Sequence, residues 1–249
     1  MIRKITPDGH ADAVWRPTLD GLPRTAFACL MREIAGAAAS PRLLVVSAHP
    51  DDETLGGGRL IADWVAAGGE VGAVIATDGE ACFDVVGHDY RGIADIRARE
   101  WGAALEILGA QPLAALGLPD GGLAEHERDL AAEVAGVVAD FRPDVIAGTI
   151  AADPHPDHQV VGRVVEAVAR EQRLPRLGWP VWLTYFADPP GPCGLEVVEC
   201  SADAEQARQR AWECFDSQRS PVADDLTAVV PPQMVELLSE QLVVRGAST

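Results

Sequence analysis

The stretch Leu43-Leu44-Val45-Val46-Ser47-Ala48-His49-Pro50-Asp51-Asp52-Glu53-Thr54-Leu55-Gly56 decides how the chain is read. It opens as a short run of leucine and valine after Pro41, the pattern of a strand buried on both faces of a parallel sheet. It closes on an imidazole, a proline and three consecutive acids, and then Leu55 to Ala67 reads as a helix. Carboxylates crowded at the end of a buried strand repel one another and lose hydration, so each needs a partner. A divalent cation is the simplest one. His49 and Asp52 stand three residues apart around Pro50, so both side chains can converge on a single ion.

Further along, strands and helices alternate. Gly68-Gly69 ends the first helix, and Val71 to Ala76 is a second strand followed by Thr77-Asp78-Gly79-Glu80. Residues 81–90 form a loop on the same edge as the acids. Ile93 to Leu108 is helical, with Trp101 in the core as Trp64 is in the helix before it. Leu113 to Leu118 is a third strand, Leu130 to Phe141 a helix, and Val145 to Thr149 a fourth strand. The loop Ile150 to Pro154 delivers His155-Pro156-Asp157-His158 into a helix from Gln159 to Arg170. This order implies an α/β, Rossmann-like three-layer sandwich with a mostly parallel central sheet.

The flanks carry weaker patterns. Pro7 to Pro23 suggests an irregular surface arm, and Thr25 to Ala39 a helix with Phe27, Leu30, Met31 and Ile34 on one side. Val181 to Phe186 and Leu195 to Cys200 read as strands around a Pro/Gly-rich turn at 188–194. Ala204 to Phe215 and Pro232 to Gln241 read as helices. No linker divides the chain, so residues 1–249 are expected to form one domain: an arm and helix to residue 40, the α/β core over 43–170, and C-terminal strands and helices over 171–249.

In an open α/β sheet, ligands sit beyond the carboxyl ends of the strands. His49 and Asp52 follow the first strand, and His155 and His158 follow the fourth, so chain order lets them meet in one crevice. Each fragment alone has a plainer reading: acids complementing a helix N-terminus, or His155 before a helix with Pro156 at its first position. Two such fragments at strand-to-helix junctions of the same sheet favour a metal site.

Ala48-His49-Pro50-Asp51-Asp52-Glu53, with Leu55-Gly56 after it and His155-Pro156-Asp157-His158 much later, resembles the LmbE-like (PIG-L) metal-dependent N-deacetylases. Thr77-Asp78-Gly79-Glu80, Arg97-Ala98-Arg99-Glu100, Gly117-Leu118-Pro119-Asp120-Gly121-Gly122 and Ser217-Gln218 are similar to further landmarks of that family. The resemblance implies one zinc ion and removal of an acetyl group from an amino sugar. It implies His49, Asp52 and His158 as ligands, Asp51 as general base, and His155 as general acid or oxyanion stabiliser, oriented by Asp157. Arg97 and Asp120 match positions that hold sugar hydroxyls, and Glu80 is expected near the same cleft. A His₂Asp set also accommodates iron or nickel.

Composition narrows the partners. The net charge is −18, from 38 acids against 20 lysines and arginines, which opposes binding to nucleic acid or anionic membrane. Five cysteines without a CxxC pair fit free thiols in a reducing cytoplasm, and neither a signal peptide nor a membrane span is evident. The expected partner is a small N-acylated amino-sugar compound, with a homo-oligomer compatible. A dinucleotide-binding module is disfavoured, because the first loop lacks G-x-G-x-x-G and its acids would repel a pyrophosphate. A non-catalytic binding protein of the same fold, or an amidase acting on a larger conjugate, are the remaining alternatives.

Overall fold

Alternate residues of the strand Arg42–Ser47 enter different apolar clusters. Leu43 and Val45 pack with Trp64, Trp101 and Leu105, whereas Leu44 and Val46 pack with Val134, Val161 and Val165. A strand apolar on both faces needs a layer of helices on each side, and the chain supplies both.

The computed structural model describes residues 2–36 and 38–246. In chain order the elements begin with α1 (Asp12–Asp20), β1 (Arg24–Ala26) and α2 (Phe27–Ala35). The alternating part follows: β2 (Arg42–Ser47), α3 (Asp52–Ala66), β3 (Glu70–Thr77), α4 (Ile93–Leu108), β4 (Gln111–Leu118), α5 (Glu127–Phe141), β5 (Val145–Thr149) and α6 (Pro156–Gln172). The last part holds β6 (Arg176–Trp179), α7 (Leu183–Phe186), β7 (Leu195–Glu199) and α8 (Ala202–Trp212). It ends with α9 (Asp216–Arg219), α10 (Pro232–Leu237) and β8 (Gln241–Gly246). The eight strands make one sheet in the order β1-β7-β8-β6-β5-β2-β3-β4. β8 runs antiparallel to β6 and β7, and every other pair is parallel.

Register places the site. Val46 pairs with Val74 on one side and Gly148 on the other, so β3, β2 and β5 end at one level. The loops after them open into a common crevice. The Gly56-Gly57-Gly58 run lies inside α3, where a Cβ on Gly57 would come within 2.6 Å of the Trp179 ring. Gly56 and Gly57 therefore serve close packing of α3 on β6, and Gly58 close packing against Arg208, rather than a phosphate.

The flanks depart from expectation in specific ways. Residues 7–23 are not an irregular arm: α1 carries Trp15 and Leu19 on one face, both buried, with Pro17 between them. The helix expected over 25–39 is shorter, because Arg24–Ala26 pairs with β7 before α2 begins; residue 37 lies outside the described residues. The segment 181–186 is not a strand. The strand is the shorter β6 just before it, and Leu183–Phe186 is a helical turn. The helix from Pro232 stops at Leu237, and Gln241–Gly246 becomes β8, whose β-branched run suits the slot between β6 and β7. The helices after β2 and β5 both begin earlier than expected, α3 at Asp52 and α6 at Pro156. All five cysteines are free, and among the described residues no helix is long and apolar enough to cross a membrane.

Trp15 is fully buried and donates its indole N–H to the Ala187 carbonyl at 2.8 Å. Trp15→Ala is expected to lower folding stability by about 3–5 kcal/mol in urea denaturation. A loss below about 0.5 kcal/mol would mean that α1 is not part of the folded core.

Candidate metal centre and active site

His49 follows β2, and Asp52 is the first residue of α3. The Asp52 carboxylate accepts the His49 backbone N–H at 2.9 Å, which ties the turn between them. His158 stands in the first turn of α6, and its carbonyl accepts the Thr149 hydroxyl at 3.0 Å. The two junctions meet. His49 Nδ1 lies 3.3 Å from His158 Nε2 and 3.4 Å from Asp52 Oδ2, and His158 Nε2 lies 3.1 Å from Asp52 Oδ1. Four ligands at 2.0–2.1 Å around a tetrahedral ion stand about 3.3 Å apart. The three donor groups are spaced as one edge-sharing face of that tetrahedron.

The outer nitrogens of the two rings explain why those donors face one another. His49 Nε2 lies 3.0 Å from Asp120 Oδ1 and 3.4 Å from Asp157 Oδ2, and His158 Nδ1 lies 3.1 Å from Asp153 Oδ1. Carboxylates accept, so these outer nitrogens carry the protons, and in the neutral rings the lone pairs sit on His49 Nδ1 and His158 Nε2. Two lone pairs aimed at one another at 3.3 Å repel unless one proton lies between them or both share a cation. The donor set therefore fits a divalent ion. His155 also belongs to the cluster, its ring centre 4.8 Å from that of His49 and 4.7 Å from that of His158.

The surrounding carboxylates also set the charge on the rings. Burial opposes charge on His49, yet its hydrogen bonds to Asp120, Asp157 and Asp52 outweigh burial and hold its pKa well above the usual histidine value. His158 rises to about 9, with burial again overcome by Asp52 and Asp153. Burial pushes the Asp51 carboxyl up to about 7, the Arg97 guanidinium pulling against it and the Asp52 charge adding to the rise. Glu53 is fully buried and pushed to about 8 by desolvation, which leaves this third acid of the run neutral at pH 7. Burial lowers His155 to about 4, helped by the His158 and His49 charges.

Asp51 occupies a backbone conformation that disfavours a side chain, with φ +146°. Its carbonyl accepts the N–H groups of Thr54 at 3.0 Å and Leu55 at 2.9 Å. Arg97 braces the same turn: it donates to the Pro50 carbonyl at 2.9 Å and the Gly79 carbonyl at 3.0 Å, and lies 3.3 Å from the Asp51 carboxylate. Gly79 has φ +66°, and a Cβ there would stand 2.2 Å from the guanidinium, so the Thr77-Asp78-Gly79 turn leaves room for Arg97. His49, Asp51, Asp52, Arg97, Asp120 and His155 all line a cavity of about 560 Å³.

Some expected contacts are arranged otherwise. Arg97 is buried and engaged as described, and it lines the cavity with its Nε unpartnered. Asp120 uses one oxygen on His49 and the other on the Ala81 N–H at 2.9 Å. Glu80 is exposed, accepts the Asp120 N–H at 3.0 Å, and is not among the described residues lining the cavity. The Asp157 carboxylate accepts from Gly121 and Leu123 and faces His49. Its contact with His155 is through its own N–H, donated to His155 Nδ1 at 3.3 Å. Asp153 escapes a reading of the sequence, although it sits two residues before His155. Fully buried, it accepts from Val181 at 2.8 Å, Trp182 at 2.9 Å and His155 at 3.1 Å as well as facing His158. Only its position in the loop after a strand hinted at that role.

Residues 44–169 match the family model described as PIG-L: GlcNAc-PI de-N-acetylase. The chain belongs to the PIG-L family. Among curated PIG-L relatives, a 1D-myo-inositol 2-acetamido-2-deoxy-alpha-D-glucopyranoside deacetylase of Mycobacterium sp. (strain KMS) is 38% identical over 173 residues, 57% of this chain and 54% of that one. This chain thus spans about half the length of that relative. A deacetylase of the same name from Rhodococcus opacus (strain B4) is 33% identical over 222 residues, 76% of this chain and 72% of that one. Among solved structures, a deacetylase of the teicoplanin biosynthetic pathway superposes with a TM-score of 0.66 at 18% identity. That superposition covers 84% of this chain and 100% of the other, and bears on the fold alone.

Outer carboxylates of this kind commonly contribute 10–100-fold to metal affinity. Asp153→Asn is therefore expected to weaken zinc binding about 10–100-fold in competition with a chromogenic chelator, with the circular dichroism of the fold retained. Equal affinity in both proteins would show that Asp153 does not set the His158 tautomer.

Proposed function

We propose that this PIG-L protein is a zinc-dependent hydrolase that removes the N-acetyl group from an amino-sugar compound. The observation that carries the reading is the facing of His49 Nδ1, His158 Nε2 and the Asp52 carboxylate at 3.1–3.4 Å beside the separately held Asp51 carboxylate. The curated relatives support the substrate class, since they are named for deacetylating a 2-acetamido glucopyranoside joined to inositol.

His49, Asp52 and His158 would hold the ion. Two imidazoles and one carboxylate leave coordination positions for water and substrate, as a hydrolytic zinc site requires. When bound, zinc supplies Lewis acidity, lowering the pKa of water toward 7 and polarising an amide carbonyl. Asp51 takes one proton from the attacking water. The Asp51 carboxylate, held beside the donor set, can accept that proton and return it to the departing amine. Arg97 fixes the Asp51 turn and keeps the carboxylate directed into the cavity. His155 accepts the Asp157 N–H on Nδ1, so its Nε2 carries the proton of the neutral ring. A neutral N–H donor suits stabilisation of the developing oxyanion. Water adds to the carbonyl carbon, the C–N bond breaks, and acetate and a free amine result.

The test is acetate release from N-acetylglucosaminyl compounds, read together with metal content. Asp51→Ala is expected to retain zinc and lose about 10²–10⁴-fold in kcat, and His49→Ala to lose both metal and turnover. Normal turnover by Asp51→Ala would remove it as the base, and full zinc retention by His49→Ala would remove the proposed ligand set.

A further inference from the structure

Asp153 stands between a metal-site histidine and a wall of the cavity. It is 0% exposed, and its two carboxylate oxygens serve different elements. Oδ1 accepts the His155 N–H at 3.1 Å and lies 3.1 Å from His158 Nδ1, both on the donor side. Oδ2 accepts the N–H groups of Val181 at 2.8 Å and Trp182 at 2.9 Å. Beyond Trp179 the chain has left the β5–β6 ladder, so the carboxylate stands in for a strand partner of those two N–H groups.

The segment that follows brings Trp182 and Phe186 into the cavity lining, their rings stacked with centres 5.5 Å apart. It also carries the N-terminal arm. The Tyr185 carbonyl accepts the His10 N–H at 2.7 Å, and the Tyr185 hydroxyl donates to the Pro7 carbonyl at 3.3 Å. Ile5, Thr6 and Pro7 of that arm line the same cavity. α7 is a single turn, and Trp182 at its N-cap supplies no side-chain bond. A turn this short has little stability of its own, so the bonds to its leading N–H groups decide where it sits.

An amide could not replace this carboxylate. Four N–H groups converge on it, counting the one on His158 Nδ1, and a carboxylate can accept all four. Asparagine has one acceptor oxygen, and its NH₂ group must face either His158 or the Val181–Trp182 pair, donor against donor. We propose that Asp153 is a positioning residue for the cavity wall as well as for the ligand. An ion held by His158 fixes that ring, the ring fixes the carboxylate, and the carboxylate fixes residues 181–187 with the arm laid against them. The wall of the metal-free protein is correspondingly looser. The inference rests on the metal-site reading and makes no use of which amide is cleaved.

Amide hydrogen exchange of the full chain is followed by mass spectrometry, first stripped of metal and then saturated with zinc. Zinc binding is measured separately by chelator competition. Peptides covering 181–187 are expected to exchange about tenfold or more slowly with zinc, while those of α5 change little. In Asp153→Asn, at zinc concentrations that saturate it, that slowing should be lost. Thr184→Gly is the control, since the Thr184 hydroxyl has no partner among the described residues and glycine loosens the turn without breaking a side-chain hydrogen bond. It should exchange faster in both states yet keep the zinc effect. Zinc bound by the wild type with no slowing at 181–187, or with every peptide slowed alike as any stabilising ligand would do, overturns the coupling and leaves the metal site standing. Slowing retained in Asp153→Asn, or lost in Thr184→Gly, overturns Asp153 as the link. Failure of the wild type to bind zinc overturns the metal reading and the coupling with it.

Discussion

Two imidazole nitrogens held 3.3 Å apart beside the Asp52 carboxylate set the terms for the rest of this molecule. Neither residue can hold that position alone. His49 depends on the end of β2 and His158 on the end of β5, and the parallel pairing of those strands brings both ends to one level. The outer carboxylates then choose the tautomers. Asp120 and Asp157 act on one ring and Asp153 on the other, from three different loops or helix starts. A donor cluster of this kind is built from the sheet outward, and its members are only as well placed as the register beneath them.

The site gathers five aspartates, Asp51, Asp52, Asp120, Asp153 and Asp157, around three histidines and Arg97. Such a group is unfavourable without compensating positive charge, and it is compensated locally. Arg97 neutralises the Asp51 side of the crevice, and the paired histidines share their protons or a cation on the other. Glu53 avoids the conflict by staying neutral. The division explains why two neighbouring acids differ so much: Asp52 is drawn well below the usual carboxylate range by His158 and His49 against its burial, while burial lifts Asp51.

The parts of this arrangement that could be read from the sequence share a physical property. β2, β3 and β5 are continuous apolar runs because they are buried on both faces, and α4 shows its period along Ile93, Arg97, Trp101, Leu105 and Leu108. His49, Asp52 and His158 stand out because imidazoles and a carboxylate at buried strand-to-helix junctions are costly without a partner. The missed elements derive their identity from partners. β1 has three residues and β6 four, and each is a strand only because β7, β5 and β8 lie beside it. Trp15 and Leu19 have helical spacing, but Pro17 between them argues against a helix until Ala187 is seen to accept the indole N–H. Asp153 is similar: nothing local distinguishes it from a turn aspartate, and its function arises from the N–H groups of Val181 and Trp182 nearly thirty residues away.

The left-handed backbone at Asp51 has a further consequence. Glycine would adopt φ +146° without the strain of roughly 1–3 kcal/mol that a side-chain-bearing residue incurs there. Selection for folding alone would therefore favour glycine here, and the base role proposed for its carboxylate would oppose that drift. Under the proposed mechanism, position 51 would record whether a lineage still carries out the reaction. A descendant that kept this sheet and its histidines for some other purpose would be free to drift to glycine at that one point, and would become more stable as it did so.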